Sequence, residues 1–217
     1  QARQFLINNG LPEIAEKYNL NYRFDGRDLE QKETFADMKI GSIIGLLLIY
    51  FILAWVFKSW TRPFSIMIMI PFAFIGAVLG HYLLGLTMSI LSMFALLALA
   101  GIVVNNSIIL VSTIERRFDD LSGQSNKNYK DNKVIDEAII AGVVDRFRPV
   151  LLTSLTTIGG LSALLFEKSL QAQFLIPMAA TIVFGLGITA FLVLVIVPSM
   201  MGISNDFSNF VKNIRRR

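Results

Sequence analysis

The chain has 217 residues, of which 54% are hydrophobic and only 17% charged, and a net charge of +4. Soluble domains carry nearer a quarter charged residues, and here the charges leave long gaps: residues 63–114 are 52 positions without Asp, Glu, Lys or Arg, 169–205 are 37, and 40–57 and 149–166 are 18 each. So much uninterrupted apolar chain excludes a water-soluble globule, and its hydrophobicity excludes a disordered segment. With no Cys and a single His, His81, the chain has no disulfide, no thiolate chemistry and no His-rich metal centre.

Residues 1–39 differ from the rest, with 13 charged residues in mixed order. Phe5, Leu6, Ile14 and Ala15 could line a helix broken by Gly10 and Pro12. Leu20, Tyr22 and Phe24 then alternate with Asn21, Arg23 and Asp25, a strand pattern closed by Gly26. The segment is too short for its own core and reads as the tail of a soluble α+β domain whose body lies upstream. The first residue is Gln1 rather than Met, and the expectation is a piece of a longer protein.

A membrane span needs about 20 apolar residues. Five segments qualify as transmembrane helices: 40–57, 63–84, 88–113, 149–166 and 174–201, with a turn at 85–87. Pro71, Pro177 and Pro198 are positioned to bend their helices. The fold class expected is therefore mainly α, a polytopic helix bundle behind a short α+β piece. Its parts are residues 1–39, the membrane domain 40–203 and a basic tail 204–217.

Lys58, Arg62, Arg116, Arg117, Arg146, Arg148 and the basic residues of the C-terminus all fall on one side, against Lys168 alone in the opposite short loops. Positive residues favour the cytoplasmic side. The 58–62 loop, the 114–148 loop and the C-terminus are thus expected inside, and residues 1–39 outside. The positive charge therefore points to a membrane rather than to nucleic acid. In the long loop, residues 121–132 are polar, while Val134, Ile135, Ala138, Ile139, Gly142 and Val143 recur at helical spacing. That pattern predicts a short amphipathic helix on the cytoplasmic surface ending at Pro149.

No acid or base lies inside a span. The most polar buried feature is Asn105-Asn106-Ser107, with Asn105 ten residues from Glu115, about 15 Å along the axis and near midplane. An unsatisfied amide there costs several kcal/mol, so these side chains face protein or water. Ala98, Gly101, Asn105 and Ser112 form one stripe, and Thr153, Thr156, Thr157 and Gly160 form another. Such faces suit close helix contact through hydrogen-bond glue, or a wet polar pathway. Gly76 and Gly80 make a GxxxG packing motif, and Gly101 and Gly160 are further packing candidates. His81 reads as an interfacial polar residue. No phosphate-binding loop and no nucleophile–base set is present, so nothing points to an enzyme, a cofactor or a bound metal.

Three stretches carry a resemblance. They are Lys58-Ser-Trp-Thr-Arg-Pro-Phe64 with Ile70-Pro-Phe-Ala-Phe-Ile-Gly-Ala77, then Gly101-Ile-Val-Val-Asn-Asn-Ser-Ile-Ile-Leu-Val111, and Arg146-Phe-Arg-Pro-Val-Leu-Leu-Thr-Ser-Leu-Thr-Thr-Ile-Gly-Gly160. In this order the chain resembles the resistance-nodulation-division (RND) efflux transporters, specifically the acriflavine-resistance-type permease subunit, over nearly its whole length. The resemblance implies the end of a periplasmic porter domain followed by helices eight to twelve of a twelve-helix inner-membrane permease. It implies a homotrimer that works with a periplasmic adaptor and an outer-membrane channel, exporting amphiphiles at the expense of proton influx. In such permeases an Asp pair on the fourth helix, outside the five spans here, takes the proton. The position of a Lys that faces this pair in many relatives is Asn105, followed by Asn106. An Asn hydrogen-bonds a carboxylate without neutralising it, so the acids would feel less positive charge, and coupling could be arranged differently or use another cation. Thr153 matches a relay Thr. Its depth, about 8 Å from Arg148, leaves the deeper Thr157 open as well. The proton-relay candidates are therefore Asn105, Asn106, Thr153 and Thr157. Other cargoes, such as lipids or metabolites, and a protein-secretion accessory or a sterol-sensing role fit the same helices. Metal export is disfavoured by the lack of an acid in the third span.

Overall fold

The computed structural model describes residues 27–124 and 132–214. The expected strand at 20–25, the helix before it and most of the polar stretch 121–132 lie outside those residues. All regular structure among the described residues is α-helical. The chain divides into two units, Gln1–Gly41 and Ser42–Arg217. Helix α1 (Arg27–Phe57) runs from one into the other, and the second unit continues through α2 (Thr61–Met67), α3 (Met69–Leu84), α4 (Ile90–Gln124), α5 (Asn132–Leu165), α6 (Leu170–Gln173) and α7 (Ile176–Ile214). Among the described residues four stretches are long and apolar enough to cross a membrane: Gln31–Phe57, Thr61–Leu84, Ile90–Gly123 and Ile176–Ser204. The fifth expected span, 149–166, is not among them as a separate helix. It forms the C-terminal half of α5, where three Thr, two Ser and two Gly dilute its apolar character.

The helix ends follow from local chemistry. Helix α1 stops at Lys58, a non-glycine residue at φ 47°. The Lys58 amide donates to the Trp55 carbonyl and the Ser59 amide to the Ala54 carbonyl, each at 3.3 Å, which is the Schellman arrangement. Gly85, at φ 65°, closes α3 in the same way, with Leu86 N donating to His81 O at 2.9 Å. Pro71 has no N–H to offer the Met67 carbonyl, and the ladder breaks there into α2 and α3. Pro149 and Pro198 lie inside continuous helices. Pro177 lies in the first turn of α7, where a missing N–H costs nothing and no preceding turn is there to bend.

Helix α7 is the hub, packing against α3, α4 and α5. The core holds Ile66, Met69, Leu99, Val103, Leu110, Leu186, Val193 and Val197. Lipid tails are as apolar as these side chains, so the contacts hold through close packing rather than exclusion of water. Helix α3 approaches α7 closely. A Cβ built on Gly76 would lie 3.0 Å from both Gly185 Cα and Phe184 O, and one on Gly80 would run into the Phe184 ring. The GxxxG therefore seats α3 on α7 within the chain. Helix α1 buries Leu53 and Phe57 but leaves Ile44, Leu48, Phe51 and Trp55 exposed around its girth, as a helix facing lipid or further protein does.

The connection expected as a loop over 114–148 is mostly helix. Helix α4 runs on to Gln124, and α5 passes from Asn132 through Pro149 without a break. The amphipathic segment at 134–148 is thus the first half of α5, not a separate helix. Charge marks where a span meets water, but Glu115, Arg116 and Arg117 are good helix formers, and the backbone continues.

Candidate functional site

Asn105 and Asn106 sit mid-way along the apolar part of α4, and Thr153 and Thr157 one and two turns past Pro149 in α5. The two helices pack on each other, yet the polar stripes do not close on one another. Asn105, Gly101 and Ala98 are exposed on α4, as are Thr153, Thr156 and Gly160 on α5, while Asn106 and Thr157 are half-buried. A Cβ added to Gly101 or Gly160 would meet nothing within 4 Å. In this chain those two glycines contact no neighbour, unlike Gly76 and Gly80, because no described helix covers their face.

The hydroxyls are satisfied within their own helix. Thr153 donates to the Pro149 and Val150 carbonyls at 3.0 and 3.1 Å, and Thr157 to the Thr153 carbonyl at 2.9 Å. Thr156 bonds back to Leu152 and Thr153. On α4, Ser107 is buried and donates to Val103 O at 2.8 Å. Each hydroxyl keeps its oxygen lone pairs for an incoming donor. Ser154, which the sequence reading passed over, is buried with no hydrogen-bond partner among the described residues. Its place beside Thr153, on the side of α5 turned inward, is the signal that could have found it.

The charged ends of the helices are tied together, which sequence reasoning used only for orientation. Arg62 lies 2.5 Å from the Glu115 carboxylate and also donates to the Phe57 carbonyl at 3.2 Å, joining the α1–α2 turn to α4. Arg117 donates to Asp145 at 2.6 Å, and this hydrogen bond holds the Asp145 carboxyl below its usual range. Arg146 donates to Thr113 Oγ1 at 2.7 Å. The last two contacts join α4 to α5.

His81 is buried, 3% exposed, and joins α3 to the start of α4. The Ala77 carbonyl, 2.9 Å from Nδ1, can only accept, so Nδ1 carries the proton and Nε2 accepts from Ser92 at 3.0 Å. Ser92 and Ser89 exchange amide-to-hydroxyl bonds in turn, closing the turn between the helices. The residue expected at an interface is therefore an interhelical tie.

These apolar helices, with their uncovered polar face, have clear relatives. Residues 9–203 match the AcrB/AcrD/AcrF family, and the chain belongs to that family of RND permeases. The swarming motility protein SwrC of Bacillus subtilis is 30% identical over 193 residues, which are 88% of this chain and 17% of that protein. The multidrug resistance protein MdtC of Proteus mirabilis is 27% identical over 194 residues, 88% of this chain and 18% of MdtC. The nickel and cobalt resistance protein CnrA of Cupriavidus metallidurans is 29% identical over 139 residues, 64% of this chain and 12% of CnrA. The crystal structure of a heavy metal efflux pump shares the fold, with a TM-score of 0.69 and 24% identity, covering 93% of this chain and 19% of the pump. The chain thus spans less than a fifth of the length of these relatives.

Proposed function

We propose that this chain is the C-terminal part of an RND multidrug or amphiphile efflux permease driven by the proton-motive force, a secondary transporter rather than an enzyme. One observation carries the reading. Two midspan polar stripes, Asn105 with Gly101 and Thr153 with Thr156 and Gly160, are uncovered in a bundle of apolar helices. Amides cannot face hydrocarbon without a cost of several kcal/mol, so other protein covers them. The N-terminal half of the same permease fits, bringing an acidic pair against Asn105, Asn106 and Thr153, with Thr157 the deeper alternative.

The second half of α5, residues 149–165, completes a set of five spans in this reading. The C-terminus and the α4–α5 connector lie in the cytoplasm, and residues 1–39 are the end of a periplasmic porter domain. The permease is a homotrimer of the bacterial inner membrane that hands substrate through a periplasmic adaptor to an outer-membrane channel. The family membership and the multidrug relatives support this assembly.

The complete permease, reconstituted in liposomes, tests it. Export of a fluorescent amphiphile should follow an imposed proton gradient and collapse when a protonophore is added. Export that ignores the proton gradient and follows only a sodium gradient would contradict the coupling.

A further inference from the structure

The first half of α5 carries an apolar ridge that neither the core nor the threonine stripe explains. Ile140, Val144 and Phe147 are 64%, 68% and 50% exposed, and the ridge runs on into the exposed Leu155. At about 100° per residue, Ile140, Val144 and Phe147 lie roughly half a turn around the helix from Thr153, Thr156 and Gly160. Protein that covers the threonines therefore leaves this ridge free.

The level of the ridge is set by α4. A Cβ on Gly142 would fall 2.9 Å from Ile114 Cα, and Ile114 is the last residue of the charge-free run. Arg146 reaches Thr113, and Asp145 reaches Arg117. Val144 and Phe147 thus stand where α4 passes from hydrocarbon to headgroups, and Ile140 stands about one turn further out.

Arg148 shares the ridge, one turn above Val144. It is exposed and makes no ion pair or hydrogen bond among the described residues, whereas the nearby Glu115 and Asp145 are already occupied by Arg62 and Arg117. Helical side chains lean toward the N-terminus. The N-terminus of α5 is its connector end, so the Arg148 guanidinium snorkels back to the headgroup level.

We propose that Arg148 and the Ile140–Val144–Phe147 ridge form a binding site for an anionic phospholipid. The guanidinium holds the phosphate, and an acyl chain lies along Phe147 and Leu155. The proposal rests on the membrane reading above. Its leaflet is the cytoplasmic one in the orientation proposed there.

A benzophenone amino acid at position 144 tests it, in the complete permease in vesicles of phosphatidylethanolamine with one part in about four phosphatidylglycerol, a composition that resembles anionic membranes. On illumination, adducts should be lipid, with a phosphatidylglycerol-to-phosphatidylethanolamine ratio about fivefold above that of the bilayer, the discrimination one interfacial basic residue supplies. Arg148→Gln should remove the enrichment and leave the lipid adducts. Phosphatidylglycerol at its bulk share in the unsubstituted background, or adducts with protein segments instead of lipid, would overturn the proposal. Labelling of a Cys at position 127 by an impermeant thiol reagent separates the two readings. Enriched lipid adducts with that Cys labelled only from the periplasmic side would keep the site and reject the orientation.

Discussion

Asn105→Leu in the complete permease should reduce proton-coupled export by about 10- to 100-fold, the loss expected when a hydrogen bond to a charged group is removed, while the trimer still assembles. Asn105 is exposed on α4, so Leu is accommodated at the surface of this chain. What Leu removes is the amide that faces the acidic pair in the proposed relay. A carboxylate left against hydrocarbon cannot ionise cheaply, and the step that releases its proton slows. Export assayed beside size-exclusion profiles separates this from misfolding. Unchanged export with normal assembly would remove Asn105 from the relay.

Gly76→Leu should have the opposite character, losing folded permease altogether. The atoms in its way are backbone, Gly185 Cα and Phe184 O at 3.0 Å, and they cannot rotate aside as a side chain can. Helices α3 and α7 would have to separate. Overpacking by a single methylene or two costs about 1–3 kcal/mol, and Leu adds four carbons. The yield of detergent-stable protein should fall to near background, and its unfolding temperature should drop sharply in any fraction that survives. Gly45→Ala, in α1 and away from the polar stripes, is the internal control. Its Cβ would enter open space, and Ala is the better helix former, so the permease should be no less stable. A stable Gly76→Leu permease would mean that α3 does not seat on α7 as described.

The spans were legible in the sequence because hydrocarbon admits charge so reluctantly. The runs free of Asp, Glu, Lys and Arg located α1, α4, α7 and the one stretch that α2 and α3 share almost by themselves. The same signal misplaced the helix ends. Glu115, Arg116 and Arg117 mark the water boundary, but nothing in them stops a helix, and α4 continues to Gln124. Pro149 read as a boundary and proved to lie inside α5. The pairing of stripes was beyond a periodicity argument. Helical spacing shows that Gly101 and Asn105 share a face, not what covers it. Hence Gly76 and Gly80, with the same small-residue pattern, pack on α7 while Gly101 and Gly160 face open space. The Arg62–Glu115 and Arg117–Asp145 pairs join residues 53 and 28 positions apart, and only the register of the folded helices brings them together. His81 shows the same limit. Its tie to Ser92 depends on the turn at Gly85 folding α4 back beside α3.

In the proposed permease the face bearing Asn105 and Thr153 is covered by the other half of the molecule, with its acidic pair. This chain contains no Cys, so the rest of the permease can be cleared of Cys and two introduced, one in place of Asn105 or Thr153 and one at an aspartate of that pair. A short bifunctional thiol reagent should join them in high yield, because side chains within hydrogen-bond reach can hold their Cα atoms beyond the roughly 7 Å a disulfide allows but within the span of such a reagent. No cross-link from either position, together with labelling of both by a lipid-dissolved thiol reagent, would mean that the stripe faces the bilayer and that the relay is not here.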